Sequence, residues 1–164
     1  LPLQAECGDL VCTEPDVFGR QAMLERNTYA AWQALCAAAA SAGVVLQLVS
    51  AYRSVAYQTL LIERKLARGD DIARILTVNA APGYSEHHTG RALDIGTPGF
   101  ALLEEAFERS AAFAWLRTHA GAFGFRLSFP RDNPHGVMYE PWHWYYSGTG
   151  TTLAQMDETE GWAR

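Results

Sequence analysis

The segment SEHHTGRALD, residues 85–94, places two adjacent histidines, a glycine and an aspartate within ten residues. Histidine is the commonest protein ligand for metals, and a carboxylate often accompanies it. His87 and Asp94 are therefore candidate metal ligands. A loop histidine beside a capping aspartate would produce the same pattern, so this segment alone leaves both interpretations open.

A second cluster near the end of the sequence favours the metal site. The segment EPWHWYY, residues 140–146, supplies Glu140 and His143 beside two tryptophans. A catalytic zinc site commonly has three protein ligands and one water, and a nearby carboxylate can act as its base. Two histidines, one aspartate and one glutamate would complete that set.

The spacing within each segment requires a break in regular strand geometry. His87 and Asp94 are separated by an odd number of positions, so a straight strand would point them to opposite faces. Gly90 is placed to provide the necessary bend. Pro141 cannot donate to a ladder hydrogen bond, so we expect Glu140 just before a strand and His143 on it.

Both segments resemble motifs of a known family, the zinc D-alanyl-D-alanine carboxypeptidases of the vancomycin-resistance type. SEHHTGRALD fits the pattern SxHxxGxAxD, EPWH fits an ExWH-like pattern, and SAYRSVAYQ at 50–58 looks like the family's YRS segment followed by glutamine. The resemblance covers about residues 25–146. The family also includes L,D-carboxypeptidases that trim peptidoglycan tetrapeptides, and its fold is related to the hedgehog signalling domain.

The resemblance implies roles for seven residues. These are the Zn²⁺ ligands His87, Asp94 and His143, the catalytic base Glu140, and the substrate contacts Arg53, Gln58 and Ser85. The metal would polarise the scissile carbonyl and lower the pKa of its water, from which Glu140 would take a proton. Arg53 offers a planar fork that suits the terminal carboxylate of a carboxypeptidase substrate.

One position departs from the family pattern. Many relatives carry an arginine two positions after the last zinc histidine, as in EPWHxRY, whereas this sequence has Tyr145 there. The ligands are retained, so the expectation of hydrolysis stands. The contribution of that arginine to the pocket or to substrate binding must be made differently in this chain.

The remaining histidines, acidic residues and tryptophans of interest have simpler interpretations. We expect His88 to lie behind a ligand or in solvent, and His119 and His135 to lie at the surface or at helix ends. Glu86 and Asp132 are expected to be solvated charges. Trp142 and Trp144 are expected in the core or in a pocket wall, because tryptophan brings a large apolar area.

The pattern of apolar residues, caps and breakers predicts three helices and four strands. The helices run from about Asn27 to Gly43 with Asn27 or Thr28 as cap, from Ser54 to Gly69, and from Ser110 to Gly121 or Gly124. The strands are residues 44–53, RALDIG, FRLSF and WHWYYS. The connections are too irregular for a doubly wound sheet, so we expect an α+β fold with a small, mostly antiparallel sheet and flanking helices.

Length and charge limit the possible classes of protein. The 164 residues fit one domain, with an irregular arm at 1–24, the motif-bearing core at 25–146 and a tail at 147–164. A formal charge of −5 with scattered arginines argues against nucleic acid as the partner. The apolar runs are far shorter than the roughly 20 residues that span a bilayer, so we expect no membrane span.

The cysteines and the start of the sequence bear on the compartment. Cys7 and Cys12 could form a disulfide and leave Cys36 as a buried free thiol, or all three could be reduced. A disulfide would indicate an oxidising compartment. No signal peptide is visible, so any leader has been removed or lies outside this sequence, and the resemblance implies a periplasmic or extracellular protein.

The resemblance supports one functional hypothesis ahead of two others. We expect a monomeric, zinc-dependent carboxypeptidase that removes the terminal D-alanine from peptidoglycan stem peptides, with D,D-cleavage ahead of L,D-cleavage. The first alternative is a peptidoglycan endopeptidase of the phage-lysin type, which shares the zinc motif. The second is a non-catalytic binding module that retains zinc structurally.

Overall fold

The computed structural model describes residues 1–148, so most of the predicted C-terminal tail lies outside the described residues. The strands are β1 (Leu10–Cys12), β2 (Met23–Glu25), β3 (Gln47–Ser50), β4 (Ala92–Gly96), β5 (Phe125–Leu127) and β6 (His143–Tyr146). The α-helices are α1 (Arg26–Ser41), α2 (Val55–Ala67), α3 (Ile72–Val78) and α4 (Ala111–His119). Three 3₁₀ helices cover Glu86–Thr89, Glu105–Arg109 and Ala120–Phe123.

Four strands form the main sheet, in the order β3-β4-β6-β5, and every neighbouring pair is antiparallel. The expected α+β fold with a small antiparallel sheet and helices around it is therefore confirmed. The core joins side chains from the two central strands to side chains from the helices. Its members include Trp32 and Leu35 of α1, Leu93 and Ile95 of β4, Leu116 of α4 and Trp144 of β6.

The register of the two central strands, β4 and β6, determines which of their residues face away from the core. Leu93 lies opposite Trp144, and Asp94 lies opposite His143. Because successive side chains on a strand point to opposite faces, the apolar pair packs into the core and the polar pair lies on the other face. Hydrophobic burial of Leu93 and Trp144 thereby fixes the position of Asp94 and His143.

Helix caps explain where α1, α2 and α4 begin. Ser54 Oγ accepts a hydrogen bond from Tyr57 N, and Ser110 Oγ accepts one from Phe113 N, as the sequence predicts. The predicted cap of α1 is wrong, because Glu25 takes that place. Its carboxylate accepts hydrogen bonds from the backbone N–H of residues 27 and 28, and it therefore starts the helix earlier than expected.

Among the strands and α-helices, β1, β2 and α3 were not predicted, and one predicted strand is longer than the observed one. Strand β1 pairs with β2 inside the segment expected to be an irregular arm. Helix α3 has only seven residues and is capped by Asp71, which accepts a hydrogen bond from Arg74 N. The predicted strand at 44–53 is reduced to β3, whose pairing with β4 is irregular between Leu48 and Ser50.

All three cysteines are free thiols. The Cys7–Cys12 disulfide is therefore not found, and the alternative of three reduced thiols is the one observed. The backbone N–H of Cys7 donates to His88 O, and Cys12 is exposed within β1. Cys36 is half-buried, and burial raises the pKa of its thiol to about 12. Within residues 1–148, every helix is too short or too polar to cross a bilayer.

Gly90 provides the bend expected between His87 and Asp94, since its φ is +66°. A Cβ added there would lie 2.9 Å from Glu25 N and 2.9 Å from Leu10 Cδ2. We expect Gly90→Ala to lower the free energy of unfolding by more than the roughly 1–3 kcal/mol that a left-handed residue costs, because strand β2 must also move.

Urea unfolding measures this loss, and Gly43→Ala is the matched control. Gly43 has a similar φ of +74° but open space around its Cα, so its substitution carries only the conformational cost. Equal losses at positions 43 and 90 would contradict the proposed contact with β2.

Candidate metal centre

His87 is positioned by a single 3₁₀ turn, Glu86–Thr89. Ser85 caps this turn by accepting a hydrogen bond from His87 N, and Gly90 ends it in a left-handed conformation. His87 Nδ1 lies 2.7 Å from Ala51 O. Because a carbonyl oxygen can only accept, Nδ1 carries the proton in a neutral ring, and the lone pair of Nε2 is left facing the site.

Asp94 and His143 complete a cluster of possible metal ligands. His87 Nε2 lies 3.4 Å from Asp94 Oδ2, and His143 Nδ1 lies 3.0 Å from Asp94 Oδ1. One ligand atom from each of the three residues lies within 4.8 Å of the others, and all three side chains are buried. The fold therefore brings together the three residues that the sequence motifs predict as ligands.

The donor chemistry of this cluster fits a divalent cation. A neutral His87 presents an acceptor atom to a carboxylate, and two facing acceptors are stable only with a proton or a cation between them. Two imidazoles and one carboxylate are a ligand set that Zn²⁺ commonly takes at catalytic sites. Asp94, His87 and His143 are thus the residues that could hold the metal.

Glu86 is a site residue that the sequence analysis missed. It was expected to be a solvated charge, but its side chain is only 12% exposed and its Oε2 lies 2.9 Å from His143 Nε2. Burial would raise the pKa of this carboxyl, but the hydrogen bond and charge of His143 outweigh it and lower the pKa to about 2. No local signal in the sequence could have found this role, because its partner His143 is 57 positions away.

Glu140 lies beside the cluster, in the turn that precedes β6, where the sequence predicts it. Its Oε2 is 3.9 Å from His143 Nδ1, and its backbone N–H donates to Phe129 O. Burial, together with the negative charges of Asp94 and Glu86, raises the pKa of Glu140 to about 7. A carboxyl group with a pKa near neutrality can both accept and return a proton at physiological pH.

The two histidines have opposite charge preferences. Burial lowers the pKa of His87 to about 4, and the positive charge of Arg53 acts in the same direction. Burial would also lower the pKa of His143, but its hydrogen bonds to Asp94 and Glu86 raise the pKa to about 10. Burial would raise the pKa of Asp94, yet the two histidines hold it well below its usual range.

A cleft of about 460 Å³ opens over these groups, and it is lined by all seven residues singled out from the sequence. Arg53 Nη1 donates to Gln58 Oε1, and Gln58 Nε2 donates to Ala80 O. Among the described residues, buried Arg53 Nε has no hydrogen-bond partner. Arg53 can therefore offer a donor to a ligand in the cleft, and Gln58 keeps its guanidinium in place.

The other sequence expectations are mostly confirmed. His88 is fully buried behind the site, where its Nδ1 lies 2.6 Å from Arg53 O and its Nε2 accepts from Gly83 N. It joins the two segments that carry Arg53 and His87. Residues that were expected outside the site are indeed exposed, namely His119, Asp132 and His135. Trp144 lies in the core and Trp142 in the cleft wall.

The arrangement defines a class of site. Two histidines and an aspartate converge at the bottom of a cleft, with a buried glutamate beside them and an arginine on the wall. This combination is typical of mononuclear zinc hydrolases, in which the glutamate serves as general base.

Comparison with known proteins gives the family. Residues 21–149 match the family model VanY, D-alanyl-D-alanine carboxypeptidase. The chain belongs to this family.

Individual relatives agree with that assignment. The chain is 36% identical over 116 residues to YodJ of Bacillus subtilis strain 168, a protein named as a carboxypeptidase, covering 68% of this chain and 41% of YodJ. It resembles the structure of the LD-carboxypeptidase LdcB with a TM-score of 0.78 and 28% identity, covering 98% of this chain and 76% of that one.

A second structure is that of a mutant of the vancomycin-resistance D,D-pentapeptidase VanY in complex with Zn(II). Its TM-score is 0.66 at 28% identity, with 90% of this chain and 83% of that one covered. The chain spans less than half the length of YodJ.

Metal binding should displace the proton that His143 holds. With a pKa of about 10, His143 is protonated at pH 7 in the metal-free protein, whereas a metal ligand must be a neutral imidazole. Binding of Zn²⁺ at pH 7 should therefore release at least one proton, and affinity should increase as pH rises toward 10. Calorimetry in two buffers of different ionisation enthalpy counts the protons. Release of none would contradict the deduced charge of His143.

Proposed function

We propose that this chain is a zinc-dependent carboxypeptidase that removes the terminal D-alanine from peptidoglycan stem peptides outside the cytoplasm. The observation that carries the proposal is the convergence of His87, Asp94 and His143 beside Glu140 in a cleft. Membership of the VanY family supports the substrate class. Nucleic acid is not an expected partner, and we propose that the protein acts as a monomer.

Arg53 explains why the enzyme would remove one terminal residue. A carboxypeptidase must recognise the free C-terminal carboxylate, and a guanidinium provides planar donors for that group. Arg53 lines the cleft with Gln58 and Ser85, and its Nε is a buried donor that a carboxylate could satisfy. A substrate anchored there would extend its last peptide bond toward Glu140.

Glu140 would perform the proton transfers. Bound Zn²⁺ would supply Lewis acidity to the scissile carbonyl and lower the pKa of the attacking water. Glu140 would accept a proton from the attacking water as the water oxygen bonds to the carbonyl carbon. When the C–N bond breaks, Glu140 would pass the proton to the departing amine, so that free D-alanine leaves and Glu140 is again a carboxylate.

Two substrate preferences are supported by different comparisons. The family model and the VanY structure favour a D,D-bond at the end of a pentapeptide. The higher TM-score with LdcB favours an L,D-bond at the end of a tetrapeptide. We place D,D-cleavage first because the matching family model is described by that activity.

Purified pentapeptide, tetrapeptide and cross-linked muropeptides separate these possibilities when the products are weighed by mass spectrometry. Loss of one alanine from the pentapeptide supports D,D-cleavage, and loss from the tetrapeptide supports L,D-cleavage. Internal cleavage without free D-alanine would indicate the endopeptidase alternative. A zinc-loaded protein that cleaves none of them would support the binding-module alternative.

Glu140→Gln tests the assignment of the base. Removing the proton acceptor should reduce kcat about 10²- to 10⁴-fold, the usual contribution of a general base, while zinc content stays at one ion per chain. Glu63→Gln, at an exposed position on α2, is the matched control and should retain activity. Undiminished kcat in Glu140→Gln would mean that the base is misassigned.

A further inference from the structure

We propose that Arg126 is a positioning residue for His143 and that it acts through Glu86. The inference rests on the proposed role of His143 as a zinc ligand. Arg126 belongs to β5 and carries no role in the sequence motifs, and within residues 1–148 its side-chain hydrogen bonds go to Ser128 and Glu86. Arg126 and His143 both contact the same carboxylate, that of Glu86.

Glu86 joins the two residues through its two oxygens. Oε2 lies 2.9 Å from His143 Nε2, and Oε1 accepts a hydrogen bond of 3.2 Å from Arg126 Nη2. His143 Nδ1, on the other side of the ring, faces Asp94. Glu86 therefore holds the ring nitrogen that points away from the cluster, and this leaves Nδ1 as the nitrogen available to a metal.

The guanidinium of Arg126 is itself held in place by two further contacts. Nη1 donates to Ser128 Oγ at 3.2 Å, and the guanidinium carbon lies 4.8 Å from the centre of the Tyr145 ring. Arg126 and Tyr145 are directly opposite each other on β5 and β6. Position 145 is where the sequence departs from the family's arginine, and here its ring supports an arginine from the neighbouring strand.

An exposed ion pair usually contributes little to the stability of a protein, and the Arg126 side chain is 51% exposed. This pair differs from an ordinary surface pair because the Glu86 side chain is only 12% exposed and its other oxygen bonds the buried His143 ring. Without Arg126, Oε1 of Glu86 loses its charged partner and the carboxylate can turn away from His143. When the Glu86 carboxylate is held in place, the orientation of the His143 ring is held as well. Residues that hydrogen-bond a metal ligand commonly affect metal affinity in this way.

Zinc affinity, measured by competition with a chromogenic chelator, tests the inference in a double-mutant cycle. Glu86→Gln should weaken Zn²⁺ binding about 10- to 100-fold, and Arg126→Gln should weaken it by about 10-fold, the lower end of the range for residues that orient ligands from outside. In the Glu86→Gln background, Arg126→Gln should have no further effect, because Arg126 acts only through that carboxylate.

Arg26→Gln is the control variant. Arg26 pairs with Asp9 at 3.0 Å on an exposed surface, so its loss removes an arginine–carboxylate pair away from the cleft and should leave zinc affinity unchanged. Proton NMR of the zinc-loaded protein adds a direct readout of the hydrogen bond to Glu86, and Arg26→Gln should leave this readout unchanged. The His143 Nε2 proton should exchange with water faster in Arg126→Gln than in the parent protein.

The outcomes separate this inference from the proposed function. If the parent protein binds no zinc at His87, Asp94 and His143, the proposed function fails. If the parent binds zinc normally but Arg126→Gln leaves both the affinity and the Nε2 proton exchange unchanged, only the positioning role of Arg126 is overturned. Equal losses from Arg126→Gln with and without Glu86 would also overturn it, because the effect would not pass through the carboxylate.

Discussion

The candidate site depends on one cross-strand pair, Asp94 of β4 and His143 of β6. These residues are 49 positions apart in sequence and lie directly opposite each other in the sheet, joined by a 3.0 Å contact. A slip of one residue by either strand would turn Asp94 or His143 into the core and expose Leu93 or Trp144 of the same strand. The hydrophobic cost of such a slip keeps the polar pair in place.

The electrostatics around that pair favour a bound cation. Three carboxylates, from Glu86, Asp94 and Glu140, surround two buried histidines. In the metal-free protein a proton on His143 relieves part of their repulsion, and Arg53 contributes a second positive charge from the cleft wall. A divalent metal would take over the role of that proton with a larger charge. Glu140 remains the carboxyl with a pKa nearest neutrality, which suits proton transfer.

Much of this arrangement could be predicted from sequence because short motifs encode it. The odd spacing of His87 and Asp94 required a bend, and Gly90 provides it. Pro141 indicated that Glu140 would lie outside the strand that begins at His143. Ser54 and Ser110 cap helices as expected, since the capping interaction is local in sequence.

The features that were missed depend on contacts between distant segments. Glu86 resembled a solvated charge because nothing near it in sequence shows that His143, 57 positions away, would bury it. Strand β1 forms only because β2 pairs with it across an irregular loop. Likewise, the sequence shows only that Tyr145 replaces an arginine of the family pattern. Its contact with Arg126 depends on the pairing of β5 with β6.

A zinc centre at this position requires His87, Asp94 and His143 to bind one ion together. X-ray diffraction from zinc-loaded crystals, collected on both sides of the zinc absorption edge, tests it most directly. We predict one anomalous peak about 2.0–2.2 Å from a nitrogen of each histidine and an oxygen of Asp94. A peak at the cysteines, or none between the two histidines, would contradict it.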